Sequence, residues 1–323
     1  MWIDDFVHLL EQSTVENPTV EAATKIKQSN MPKRIYKYRE DNANARNCLT
    51  AGTIWLSSPL AYNDPYDCAI KIVDETIIGA FERNLFDRFV EKYQLEDVLT
   101  PLGIATARGG PTPLKTLIEL TKQSGSPILR GHPDMMADFV LNHALPEYVA
   151  NTKSFFRQAQ SSTKLCSFSE INDSILMWSH YSKNHTGFCI EYDVESLPIN
   201  NVFRQNLHPV VYASELYDFT RFLTLFVNAS REKIKPMFPL LGVLHKFLEW
   251  SYEKEWRLVF FPNAIVPDQL HPAPIPSAVF LGSKMQEIKQ REMAAICKSL
   301  NIPLHQMQLK GDSFQLSPEP YLD

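Results

Sequence analysis

The stretch Trp250-Ser251-Tyr252-Glu253-Lys254-Glu255-Trp256-Arg257-Leu258-Val259-Phe260-Phe261 decides how the rest of the chain is read. Charged and aromatic residues alternate and then run into an apolar segment, a period-two pattern that predicts a strand entering the core. On such a strand Glu253, Glu255 and Arg257 share one face, and Tyr252, Lys254 and Trp256 the other. The two carboxylates then stand about 7 Å apart, from a rise of ~3.3–3.4 Å per residue. Such a pair raises its own pKa values unless a cation or substrate hydroxyls lie between them. Arg257 is the cation on that face. An edge strand with a solvated charge ladder over a packed Trp256 would use the same letters; the density of Trp and Arg beside a buried run keeps a functional site open beside that reading.

With 323 residues and 44% hydrophobic content the chain can bury a large core, as one elaborated domain or two intimate ones. The formal net charge of −5 gives no basic excess for duplex nucleic acid. Cys48, Cys68, Cys166, Cys189 and Cys297 are widely spaced, odd in number and without a Cys-x-x-Cys pair. That usage fits reduced thiols and a cytoplasmic protein rather than a disulfide framework. The start Met1-Trp2-Ile3-Asp4-Asp5 carries acid where a signal peptide carries base, and no apolar run reaches membrane-spanning length, so no membrane partner is expected.

Residues 1–30 read as an N-terminal extension of two short helices, with Asn17 as an N-cap, Pro18 at the first helical position and Pro32 ending them. Residues 31–323 read as a single α+β domain with a helical insertion at about 74–160. Strands are expected at Ile35–Arg39, Thr53–Ser58, Lys164–Ser169, Gly187–Asp193, 202–212, Ser277–Gly282 and Leu304–Lys310. Helices are expected after Arg39 up to a Gly52 cap, over 77–93, 114–123, 132–158 and Ile175–Tyr181, and twice within 214–250. A further helix over 284–299 turns Met285, Ile288, Met293, Ile296 and Leu300 inward. Residues 101–113 and 262–276 read as irregular loops, and the tail beyond Pro318 as frayed. In the loop Pro59–Asp67, Asn63 and Asp64 cap local amides and present Tyr62. His132 and His143 are isolated and read as surface or satisfied histidines rather than metal ligands. The element order suits a mixed, mostly antiparallel sheet flanked by helices. The chain lacks Gly-x-Gly-x-x-Gly, a Walker loop, Gly-x-Ser-x-Gly and His-Glu-x-x-His.

Tyr36-Lys37-Tyr38-Arg39, Tyr62-Asn63-Asp64-Pro65-Tyr66-Asp67, Met177-Trp178-Ser179-His180-Tyr181 and Tyr252-Glu253-Lys254-Glu255-Trp256-Arg257 occur in that order, with Cys166–Glu170 and Leu281-Gly282 between and after them. This set resembles a large bacterial family known only as a domain of unknown function. The resemblance implies a cytoplasmic protein, often from a phage-defence neighbourhood, of the effector or toxin type. The layout is also similar to ADP-ribosyltransferases, with Ser167-Phe168-Ser169 where those enzymes carry Ser-Thr-Ser. That resemblance implies NAD as substrate and a protein or nucleic-acid acceptor. It assigns Arg39, beside Tyr38, to the pyrophosphate, Tyr62 or Tyr181 to stacking on nicotinamide, Glu255 to the ribose 2′-hydroxyl and the oxocarbenium-like transition state, and Glu253 to the acceptor. His180 joins Glu253 and Glu255 as a candidate catalytic group, and Asn63, Asp64 and Arg257 join the binding set.

Two other readings use overlapping residues. A metal-dependent nuclease would draw on Asp64, Asp67, Glu253, Glu255 and Lys254. A non-enzymatic sensor would bind a nucleotide through Trp55, Tyr62, Trp178, Tyr181, Trp256, Arg39 and Arg257.

Overall fold

The computed structural model describes residues 1–125, 138–228, 235–261 and 269–322. Its strands are β1 (Arg34–Arg39), β2 (Thr53–Trp55), β3 (Ile70–Lys71), β4 (Lys164–Ser169), β5 (Phe188–Asp193), β6 (Leu207–Pro209), β7 (Val211–Ala213), β8 (Tyr217–Asp218), β9 (His245–Phe247), β10 (Glu255–Phe260), β11 (Leu270–Pro272), β12 (Ala278–Leu281), β13 (Leu304–Leu309) and β14 (Leu316–Pro320). One sheet runs β14-β13-β12-β5-β1-β4-β10-β6. Only its β12–β13 pair is parallel. Helices flank this mixed, mostly antiparallel sheet, which is the expected α+β class.

β10 is buried along its whole length. Trp256, Leu258 and Phe260 enter an apolar cluster with Ile35, Phe168 and Ile190. Val259, on the other face, enters a second cluster with Leu165 and Val243. The helix Trp2–Gln12 is fastened to this strand by Trp2, which stacks on Trp256 with centroids 6.1 Å apart. Two glycines set the close approach of β1, β5 and β12. A Cβ on Gly187 would lie 2.1 Å from the Arg39 carbonyl oxygen, and one on Gly282 would lie 2.1 Å from that of His185.

Several local expectations change. The second N-terminal helix begins at Val20 behind Thr19, because Asn17 is held in a turn with Thr14 rather than serving as the cap. Residues Pro101–Gly109 are helical: the Thr100 hydroxyl accepts from the Gly103 amide and Pro101 takes the first position, so the proline marks a start and not a loop. Residues 202–212 form a short helix, Val202–Gln205, capped by Asn201, before β6 and β7. Leu316–Pro320 pairs with β13 instead of fraying. Ile288 is 64% exposed, while Met285 and Met293 are buried. β2 stops at Trp55, and Ser57 makes only a single bridge to Leu165. The expected features at His132, the start of the 132–158 helix and much of the 262–276 loop lie outside the described residues. Among the described residues no helix is long and apolar enough to cross a membrane.

Candidate functional site

The glutamate pair is built differently from a regular strand. Leu248–Glu253 is a 3₁₀ turn, Lys254 is left-handed at φ 44°, and β10 begins only at Glu255. The turn is tied to β4: the Ser169 hydroxyl donates to the Glu253 carbonyl at 2.6 Å, and the Glu170 amide to the Lys254 carbonyl at 3.0 Å. The left-handed residue turns the chain so that Glu253 and Glu255 still meet the same group, while Lys254 is exposed.

That group is Lys246, from β9. Its ammonium donates to both glutamates, at 2.8 Å for Glu255, and lies 3.5 Å from Asp67. Arg257, fully buried, donates from Nε to Glu255 Oε1 at 2.7 Å, from Nη2 to Asp67 Oδ1 at 2.6 Å, and from Nη1 to the Val243 carbonyl at 2.7 Å. The Tyr181 hydroxyl donates to Glu253 Oε1 at 2.6 Å, and the Tyr212 hydroxyl accepts from the Glu255 amide at 2.8 Å. Tyr62 sits at 3.1 Å from the Ser167 hydroxyl, with Arg257 5.6 Å from its ring centroid.

Three carboxylates thus share two cations in a buried site. Burial drives the Glu253 pKa up and the charge of Glu255 adds to it; Lys246 and Tyr181 offset this only in part, leaving Glu253 at about 7. Burial opposes ionisation of Glu255 too, but Arg257 and Lys246 outweigh it and hold that carboxyl well below the usual range. Burial likewise disfavours the Lys246 charge, and its three carboxylates override it and keep the ammonium protonated. Arg257 reaches Glu255 and not Glu253, and that asymmetry separates the pair.

The network borders a cleft of about 150 Å³ lined by Tyr38, Tyr62, Ser169, Tyr181, Glu253 and Glu255. The cleft opens where β1 and β4 diverge: they pair at Tyr36↔Ser169, and Lys37 then donates across the gap to the Ser167 carbonyl at 2.7 Å. On one side lies a depression of about 610 Å³ with Arg39, Asn44, Asn47 and Trp55, which shares Lys37, Tyr38 and Tyr181 with the cleft. On the other lies one of about 550 Å³ with Asp64, Tyr66, Glu215, Phe247 and Trp250, which shares Asn63 and Lys246.

Residues 177–258 match the model of a family described as a protein of unknown function (DUF2971). No curated protein and no solved structure gives a significant match. The DUF2971 segment contains Tyr181, Tyr212, Lys246, Glu253, Glu255 and Arg257, and the rest of the site, including Arg39, Tyr62 and Asp67, comes from outside it.

The fold therefore gathers Tyr38, Tyr62, Asn63, Tyr181, Glu253 and Glu255 at one cleft, with Arg257 beneath them. Arg39 stands in the adjoining depression with no side-chain hydrogen bond or ion pair among the described residues. Asp64 faces the opposite depression and caps the Tyr66 amide at 2.8 Å, the expected Asx-turn. His180 is exposed and lines neither the cleft nor the two depressions, because it lies on the outer face of its seven-residue helix, Ile175–Tyr181. Of the residues of the nuclease reading, Asp67, Glu253 and Glu255 are brought together but are held by Lys246 and Arg257, Asp64 caps a local amide and Lys254 is exposed; among the described residues no group of three or more His, Cys, Asp or Glu could hold a metal ion. Sequence reasoning missed Lys246 and Tyr212 as partners of the pair. Both come from short strands within stretches read as a longer strand or as helices.

Proposed function

We propose that the chain breaks the N-glycosidic bond of a nicotinamide nucleotide such as NAD, as a glycohydrolase or by transfer of ADP-ribose to an acceptor. The observation that carries this reading is the shared ammonium. Two carboxylates both bonded to Lys246 stand within about 6 Å of each other. Their proton affinities are pushed apart, the usual mark of a divided acid–base pair. Glycosidic cleavage through an oxocarbenium-like transition state uses carboxylates at comparable spacing, roughly 5–5.5 Å in retaining enzymes.

In this reading Glu255, ionised at neutral pH, faces the positive charge that grows at C1′. The C1′–N bond breaks and its electron pair leaves with the ring nitrogen. Water or an acceptor then forms the new bond to C1′ and gives its proton to Glu253. The Arg39 guanidinium, without a hydrogen bond or ion pair among the described residues, suits the pyrophosphate. Consumption of NAD in the cytoplasm is the activity expected of a defence-type effector, the setting implied by the family resemblance.

The test is to incubate the purified chain with NAD and follow nicotinamide release by chromatography. Release is expected, falling by at least ~10²-fold in Glu253→Gln or Glu255→Gln. No release, and no modified protein or nucleic acid, would remove the enzymatic reading. Tight binding without turnover would leave a nucleotide-binding module.

A further inference from the structure

The two depressions beside the cleft have opposite chemistry. The one at Arg39 offers a guanidinium with no hydrogen bond or ion pair among the described residues, together with side-chain amides. The one at Trp250 is walled by Tyr66, Phe247 and Trp250, with Tyr66 66% and Phe247 43% exposed. Its negative groups are Asp64 and Glu215. Among the described residues Glu215 makes no hydrogen bond or ion pair, and Asp64 has only Oδ1 engaged. Lys246, in the same wall, is divided among three carboxylates, and its ammonium also lies over the Trp250 ring, 5.1 Å from the centroid. His245 is kept neutral by burial, with Nδ1 2.7 Å from the Leu241 carbonyl. Such a hollow repels phosphate and attracts a flat organic cation, which gains from both the aromatic faces and the carboxylates.

The cleft that holds the two glutamates lies between these depressions and shares walls with each. A ligand whose phosphates lie at Arg39 and whose glycosidic bond lies at the glutamates has the Trp250 depression, which shares Asn63 and Lys246 with the cleft, open to its remaining end. Arg257 lies over Tyr62 and the Tyr181 hydroxyl is fixed on Glu253, and Lys246 lies over Trp250, so the open aromatic surface near the cleft is that of Tyr66 and Phe247.

We propose that the Asp64–Glu215–Trp250 depression is the subsite for the positively charged planar end of the substrate, a quaternary pyridinium, and the route by which the ring leaves. This rests on the glycosidic reading of the glutamate pair. When the C1′–N bond breaks, the electron pair stays on the ring nitrogen and the ring becomes neutral. The electrostatic attraction then drops, which favours departure of the product over that of the substrate.

The experiment titrates the 1-methylnicotinamide cation into the full chain, read by tryptophan fluorescence and saturation-transfer NMR, with neutral nicotinamide as the near-isosteric control. The cation is expected to bind at least ~10-fold more tightly than the neutral ring and to be displaced by NAD. The double variant Asp64→Asn/Glu215→Gln should abolish the preference, and Tyr66→Leu should weaken cation binding about tenfold. Arg39→Ala should weaken NAD and leave the cation unchanged. Circular dichroism confirms that each variant is folded. Equal binding of cation and neutral ring, no response to the double variant, or simultaneous binding of cation and NAD would each overturn the assignment. Binding is read without turnover: absent nicotinamide release with an intact cation preference sinks the enzymatic reading alone, and release without that preference sinks the subsite alone.

Discussion

The two faces of β10 are equally dry and are held by different forces. Trp256, 1% exposed, and its apolar neighbours gain roughly 25 cal/mol for each Å² removed from water. Arg257, 0% exposed, and Glu255 must instead recover several kcal/mol of lost hydration per ion through hydrogen bonds and charge pairing. An apolar replacement of such a network is often neutral or stabilising, so holding the strand in place does not require it. What the charged face has and the apolar face lacks is two carboxylates on one ammonium with different proton affinities.

The largest expected effect comes from Arg257→Ala. It leaves Glu255 and Asp67 buried beside a single lysine and should cost about 3–5 kcal/mol in urea denaturation. Trp256→Ala, on the other face, should cost a similar amount through its cavity. The two losses should differ in pH response, that of Arg257→Ala shrinking as the carboxylates protonate and that of Trp256→Ala staying flat. A loss under ~1 kcal/mol for Arg257→Ala would mean that the network is solvated.

Glu253→Gln sharpens the contrast. Its carboxyl has a folded value of about 7, above the ordinary 4.5. Its stability contribution is therefore present below the ordinary value and lost as pH rises through 7. Relative to Glu253→Gln, the native chain should lose up to about 1.4 kcal/mol per pH unit between roughly 5 and 7 and stay level above. Glu255 runs the other way, its stabilisation vanishing as pH falls below the ordinary carboxylate range. Thermal melts of both variants from pH 2 to 9 check the two signs, and a parallel pair of curves would deny the asymmetry.

The smallest effect is expected at the junction. Lys254→Gly relieves a left-handed lysine and should stabilise the chain by up to about 1 kcal/mol without touching the network. A loss of stability would mean that the lysine side chain, and not the backbone bend, matters there.

The sheet was largely legible because β1, β4, β5, β10 and β12 carry period-two or continuous apolar runs. The caps were legible where their chemistry is local, as at Ser174 and at the left-handed Gly52. The glutamates were placed together for the wrong reason: a regular strand was expected, and a 3₁₀ turn with a left-handed lysine does the work. Lys246 was illegible because nothing in its three-residue strand distinguishes an inward lysine from a solvated one. Its role exists only after the chain brings Asp67, Glu253 and Glu255 around it. His180 failed conversely: its neighbours Trp178 and Tyr181 are inward, and helical periodicity turns the residue between them outward.

The division of labour within the glutamate pair can be read directly by carbon-detected NMR titration of glutamate-labelled protein. The account predicts one side-chain carboxyl resonance titrating near pH 7 that disappears in Glu253→Gln, and a second, lost in Glu255→Gln, that stays ionised to the lowest pH at which the fold survives. Both glutamates titrating together in the ordinary range between 4 and 5 would contradict it.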